Sequence, residues 1–127
     1  MKHGGNYLSE QGKILLVEDE EDLREMMKYQ LESAGYHVTG VEDGTDALTE
    51  LNTETPDLIL LDLNLPKMGG VEFYEKVSVD EDFSVPIIVT TAREEVEGLF
   101  ESFNVEAYLA KPFTMEQLLK TVKLTIR

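Results

Sequence analysis

Four consecutive large apolar residues, Leu58-Ile59-Leu60-Leu61, run without polar interruption and end on a single carboxylate, Asp62. A strand with one wet face alternates apolar and polar residues, whereas an unbroken run fits a strand covered on both faces, as in a parallel sheet between helices. Asp62 then stands at the carboxyl end of a buried strand. In an open parallel sheet that end faces the crevice where ligands bind, because the loops there leave room that helices do not fill. Alone, an Asp ahead of a Pro-containing turn is most simply a turn former. Its meaning depends on what the other strands deliver to the same edge.

Lys13 to Val17 (KILLV) is a second apolar strand, and Glu18-Asp19-Glu20 follows it directly. From Glu21 to Ala34, the residues Leu23, Met26, Met27, Leu31 and Ala34 fall on one helical face, with Gly35 as the stop. His37 to Val41 is a less hydrophobic strand suited to a sheet edge, with His37 exposed. Gly44-Thr45 opens a helix that turns Ala47, Leu48 and Leu51 inward. After the central strand, Gly69-Gly70 precedes a helix carrying Val71, Phe73, Tyr74 and Val77. A strand over residues 85–90 opens at Pro86 and ends in Thr90-Thr91-Ala92. Val96, Leu99, Phe100 and Phe103 then mark a helix of about two turns, ending at Asn104. Ala107 to Ala110 is a small strand closed by Lys111-Pro112. Thr114 and Gln117 form a capping-box pattern, stapled by Phe113 and Leu118, ahead of a last helix with a stripe of Met115, Leu118, Leu119, Val122 and Ile126. Five strands alternating with five helices predict right-handed crossovers and a three-layer α/β sandwich. Alternation leaves the order of the strands open.

The chain has 127 residues, the size of one domain with a single core. It has no cysteine, which excludes disulfides, thiol nucleophiles and thiolate metal sites. Twenty-six acidic against eleven basic residues give a formal charge of −15, which opposes binding to nucleic acid or anionic membranes. No apolar run reaches spanning length and no secretory leader is visible, so a cytoplasmic protein is expected. Residues 1–12, with three glycines and no apolar period, read as a flexible leader, and residues 13–127 as the domain.

The strands ending near residues 17, 61, 90 and 110 deliver Glu18 and Asp19, then Asp62, Thr91 and Lys111. If the strands are parallel neighbours, these side chains meet at one sheet edge. Three carboxylates crowded together resist joint ionisation unless a cation joins them, and oxygen-only ligands favour Mg²⁺ over zinc. A carboxylate beside Mg²⁺ and an ammonium is equipped to attack an incoming phosphoryl group, whose oxygens the two cations neutralise. Each dipeptide alone is commonplace; their coincidence at four strand ends carries the inference.

Those residues resemble the receiver domain of bacterial two-component response regulators, over residues 13 to 126. The matching elements are Glu18 and Asp19 in LLVED, Asp62 with Pro66 and Gly70 in LILLDLNLPKMGG, Thr91 and Ala92 in PIIVTTA, and Lys111 with Pro112 in YLAKPF. The resemblance implies a flavodoxin-like fold with strand order 2-1-3-4-5. It implies that Asp62 accepts phosphate from a sensor histidine kinase or phosphotransfer protein, with Mg²⁺ held by Asp19, Asp62 and the backbone carbonyl of Asn64, and Glu18 acting mainly through water. By the same resemblance Lys111 and Thr91 contact phosphoryl oxygens, Tyr108 is the switching aromatic, and Asn64 and Arg93 tune dephosphorylation. The domain would assist its own phosphorylation and dephosphorylation without being an enzyme in the ordinary sense, and would act on a partner protein or an effector domain.

Three departures from the family pattern stand out. Glu18 occupies a position more often Asp, Asn104-Val105 replaces a frequent Gly-Ala, and the stretch from Thr91 to Lys111 is about two residues shorter than usual by that resemblance. A haloacid dehalogenase-type phosphatase also uses an Asp at a strand end, but it needs a second Asp two residues on, where this chain has Asn64, and places its nucleophile after the first strand. A degenerate receiver that only binds proteins is the other alternative, and the full set of Glu18, Asp19, Asp62, Thr91 and Lys111 argues against it.

Overall fold

The computed structural model describes residues 12–63, 69–92 and 104–126. Five strands, β1 (Lys13–Val17), β2 (His37–Val41), β3 (Leu58–Asp62), β4 (Ile87–Ala92) and β5 (Ala107–Lys111), form one sheet in the order β2-β1-β3-β4-β5, all neighbours parallel. Among the described residues four helices accompany them: α1 (Glu21–Ser33), α2 (Gly44–Thr53), α3 (Gly70–Ser78) and α4 (Met115–Thr125). This is the flavodoxin-like α/β sandwich. The fifth helix expected from Val96 to Phe103 lies outside the described residues, as do Asn64, Pro66, Arg93 and nearly all of the leader. Among the described residues no helix is long and apolar enough to cross a membrane.

The apolar runs are unbroken because each strand feeds two cores. Side chains alternate between the faces of a strand. Ile14, Leu16, Leu58, Leu60 and Ile88 pack with Met27 and Leu31 of α1 and Leu118 and Val122 of α4. Leu15, Val17, Ile59, Leu61 and Val89 pack with Ala47 of α2 and with Phe73 and Val77 of α3. The central strand β3 is buried at all five positions, Asp62 included. β2 is an edge strand with His37 exposed.

Local signals set the helix ends. After α1 the chain reverses through Gly35 at φ 104°, with Gly35 N–H donating to the carbonyl of Glu32 (3.0 Å) and Tyr36 N–H to that of Leu31 (3.1 Å). This is a Schellman closure, which needs a residue at ease with positive φ. Asp43 caps α2 by accepting from Asp46 N–H at 2.9 Å. The box at α4 is complete: Gln117 N–H donates to Thr114 Oγ1 (3.0 Å) and Thr114 N–H to Gln117 Oε1 (2.8 Å). Phe113 and Leu118 share the same core, as a staple requires.

Several details depart from the sequence reading. Met26 is 52% exposed and Ala34 is exposed, because the buried line of α1 runs through Leu23, Met27 and Leu31 and leaves Met26 off it. Val71 is likewise exposed, with Phe73 and Val77 carrying the inward face of α3. β4 starts at Ile87, two residues later than expected, and continues to Ala92. Pro86 has no N–H to give the ladder, and its carbonyl alone takes part, accepting from Ile59 N–H at 3.0 Å. At their other ends β3, β4 and β5 extend one or two residues beyond the apolar runs. They therefore include Asp62, Thr91 and Lys111 within regular structure.

Candidate functional site

β2 and β3 flank β1 on opposite sides, so the chain crosses the sheet in opposite directions from β1 and leaves a crevice at the carboxyl ends of the central strands. Glu18, one residue past β1, is anchored by its N–H donating to the carbonyl of Val41 at 3.0 Å. Asp62 closes β3 opposite Thr90 of β4, and Lys111 closes β5 opposite Ala92. By alternation Glu18, Asp62 and Lys111 continue the face packed on α1 and α4, while Thr91 and Tyr108 continue the other face.

The Lys111 ammonium donates to Glu18 Oε1 and to Asp62 Oδ2, each at 3.0 Å. Both carboxylate side chains are buried, and the lysine side chain keeps 26% of its surface. Asp19 completes the group from an exposed position: Glu18, Asp19 and Asp62 each bring one oxygen within 4.8 Å of the others. Three acids face one base. Burial pushes the Glu18 carboxyl above its ordinary range, with the negative charge of Asp62 adding to the effect, while bonds from Lys111 and from the Glu20 N–H (3.1 Å) oppose it. Burial pulls on Lys111 in the opposite sense, but its hydrogen bonds to Glu18 and Asp62 and their charges outweigh it and hold the ammonium more tightly than usual. Asp19 is the member that adds charge without sharing the lysine bonds. Asp19→Asn keeps its shape and removes one of the clustered charges, so in a chelating buffer it should raise the unfolding free energy by about 1 kcal/mol. Urea denaturation measures this, and a destabilised variant would contradict the electrostatic account.

The helix that follows presses directly on the Asp62 backbone. A Cβ at Gly70 would lie 2.5 Å from both the carbonyl oxygen of Asp62 and the Cα of Leu63, and Gly70 N–H donates to the carbonyl of Leu63 at 3.2 Å. Only glycine lets α3 begin that close to the end of β3. Thr91 is fully buried and engaged in the fold. Tyr108 is half-buried in the core shared with Tyr74, and burial, helped by the neighbouring Tyr74, raises its hydroxyl above the usual range. Tyr74 in turn accepts from the Asn104 N–H at 2.7 Å.

A second group of carboxylates, Glu42, Asp43 and Asp46, also brings oxygens within 4.8 Å, but its buried member Asp43 is occupied as the cap of α2. One contact was not anticipated from the sequence. Arg24 of α1 reaches back over the acidic loop, its guanidinium donating to the carbonyls of Glu18 (2.8 Å) and Asp19 (3.5 Å). A cation near the positive end of a helix runs against the helix dipole, and that mismatch was the available signal.

What the arrangement can do follows from its atoms. A carboxylate on a short side chain, buried at the carboxyl end of the central strand, lies beside an ammonium and two further carboxylates. That combination suits a nucleophile toward an electrophilic oxyanion with a cation as partner.

Comparison with known proteins agrees with this geometry. The model of the response regulator receiver domain matches residues 14–123. Over 119 residues the chain is 38% identical to the alkaline phosphatase synthesis transcriptional regulatory protein PhoP of Bacillus subtilis, covering 91% of this chain and 48% of that protein. It is 37% identical over 120 residues to the phosphate regulon transcriptional regulatory protein PhoB of Escherichia coli, covering 91% and 52%. The chain thus spans about half the length of the curated relatives it matches. Among solved structures it resembles the chemotaxis response regulator CheY4 of Vibrio cholerae, with TM-score 0.80 and 33% identity over 88% of this chain and 96% of that one. It is also similar to the receiver domain of the sensor histidine kinase PA1611 of Pseudomonas aeruginosa, solved with a magnesium ion coordinated in the active-site cleft (TM-score 0.80, 33% identity, 90% and 96% covered). The sequence pattern, the β2-β1-β3-β4-β5 sheet and these matches together make the chain a member of the response regulator receiver domain family.

Proposed function

We propose that this domain is a phosphoacceptor switch in which Asp62 takes a phosphoryl group from a histidine kinase or phosphotransfer protein. The observation that carries the reading is the contact of Lys111 with Asp62 at 3.0 Å inside a cluster of two buried carboxylates and one exposed carboxylate at the sheet's switch point. The receiver unit is residues 13–127, with residues 1–12 outside it. The donor set is carboxylate oxygen alone, gathered from Glu18, Asp19 and Asp62, which suits a hard cation such as Mg²⁺. When bound, Mg²⁺ neutralises oxygens of the transferring phosphoryl group and relieves the repulsion among the carboxylates.

An Asp62 carboxylate oxygen forms the new bond to phosphorus as the bond from phosphorus to the donor's leaving nitrogen breaks. Lys111, held protonated by its two carboxylate partners, moves one of its bonds from Asp62 to a phosphoryl oxygen. Glu18 keeps the ammonium in place through that exchange. The start of α3 against the Asp62 backbone, permitted by Gly70, fixes the direction of the nucleophile. Asn64 and Arg93 lie outside the described residues, and their roles, a backbone carbonyl for the cation at Asn64 and control of water access at both, rest on the family resemblance alone.

Phosphate on Asp62 then gives Thr91 and Lys111 new anionic partners in one of two loop arrangements. Lys111 exchanges one anionic partner for another, so the added bond is that of Thr91, and a charge-assisted bond of roughly 1.5–3 kcal/mol shifts a two-state equilibrium by on the order of ten- to a hundredfold. Tyr108, on the same face of the sheet as Thr91 one strand over, follows that movement. The response passes to an effector domain or partner protein, as half-length coverage of two transcriptional regulators suggests. Thr91→Ala should still accept phosphate from acetyl phosphate but lose the shift of the Tyr108 ring resonances seen by NMR on phosphorylating the unaltered domain. Retention of that shift would refute the coupling.

A further inference from the structure

Arg24 stands outside the reacting groups, yet it holds the loop that carries two of them. Its guanidinium donates to the backbone carbonyl of Glu18 at 2.8 Å and more distantly to that of Asp19 at 3.5 Å. Both bonds leave the same nitrogen, Nη1, at the end of a rigid planar group, and a lysine ammonium on a stem one atom shorter reaches that position less well. The stem is guided as well. Gly40 of the edge strand lies beneath it, and a Cβ there would touch Arg24 Cγ and Cδ at 3.4 Å. The side chain therefore lies across β2 and turns toward the end of β1. The Glu18 loop is also tied at its backbone by the Glu18 N–H to Val41 and, through the Glu18 side chain, by the Glu20 N–H and Lys111.

We propose that Arg24 is a positioning residue for the cation site, fixing the backbone of Glu18 and Asp19 so that their carboxylates converge with Asp62. The inference rests on the reading of that cluster as a Mg²⁺ site. Its physical content is separable from simple charge. As a cation near the site, Arg24 repels Mg²⁺, so an electrostatic role alone makes its removal tighten metal binding. A positioning role makes removal weaken it, because the loop must then be ordered when the ion arrives.

The test is calorimetric titration of the full chain with MgCl₂, beside urea unfolding in chelator. The unaltered protein is expected to bind one ion, and Arg24→Ala to bind it about tenfold more weakly. Arg24→Lys, which retains the charge on a shorter stem that reaches the Glu18 carbonyl less well, should show a smaller loss. Phosphorylation by acetyl phosphate should need correspondingly more Mg²⁺ in Arg24→Ala and reach the same rate at saturation. Affinity in Arg24→Ala equal to or tighter than that of the unaltered protein overturns the proposal. If Arg24→Ala fails to fold by circular dichroism, Arg24→Lys decides it: weaker binding supports positioning, and unchanged binding overturns it. Absence of Mg²⁺ binding in the unaltered protein would instead defeat the metal-site reading itself.

Discussion

Lys111→Met should destabilise the metal-free domain by about 3–5 kcal/mol at neutral pH, the usual consequence of leaving buried ions without their partner. Methionine keeps the length of the stem and removes only the charge. Glu18 and Asp62 then remain buried beside each other without the charge of the lysine. The pH dependence should change with it. In the unaltered protein the carboxylate partners hold the ammonium above its ordinary 10.5, against the pull of burial. Its contribution is complete below that value and is lost as pH rises through the higher folded value. Glu18 already has its carboxyl raised, chiefly by burial, and removing Lys111 deletes the bond that lowers it. A carboxyl raised on folding binds more protons in the native state than unfolded above its ordinary 4.5, so stability falls as pH rises from there. The deficit of Lys111→Met relative to the unaltered protein should therefore be larger at pH 8 than at pH 5. Urea unfolding at the two pH values reads it. A deficit below about 1 kcal/mol, or one that shrinks as pH rises, would contradict the buried ion cluster. Mg²⁺ should restore part of the loss, since a bound ion stabilises the folded state by mass action.

How much of this was legible in the sequence depended on whether the signal was local. The unbroken run Leu58–Leu61 implied a strand covered on both faces, and β3 is buried throughout. Capping chemistry is also local, so Gly35 and the Thr114–Gln117 box could be read directly. The order of the strands could not, because alternation of strand and helix is the same for many orders, and it entered only through the family resemblance. Helix faces were legible to within one residue of the buried line: Met26 lies adjacent to Met27 in sequence yet points 100° away from it, and it is exposed. The convergence of Glu18, Asp19, Asp62 and Lys111 was predictable once parallel strands were assumed, because each sits at a strand's carboxyl end. Arg24 was not, since its reach to the Glu18 carbonyl depends on the space above Gly40, sixteen residues further along the chain.

Replacing the proposed acceptor should have the largest functional effect of any single change. In Asp62→Asn the amide carries no anionic oxygen and cannot displace a leaving group from phosphorus at a useful rate, while the shape of the side chain at the end of β3 is kept. Lys111, Glu18 and the packing of Gly70 on the backbone all remain. Phosphate uptake should fall to background with the fold intact by circular dichroism, because no other carboxylate of the cluster ends the central strand with its backbone against the start of α3 and its side chain bonded to the lysine. The direct measurement is intact-mass and peptide mass spectrometry after incubation with acetyl phosphate and Mg²⁺. The account predicts one added phosphoryl group, on the peptide containing Asp62, absent in Asp62→Asn and absent when the divalent cation is chelated. Label that persists in Asp62→Asn, or that forms without a divalent cation, would contradict it.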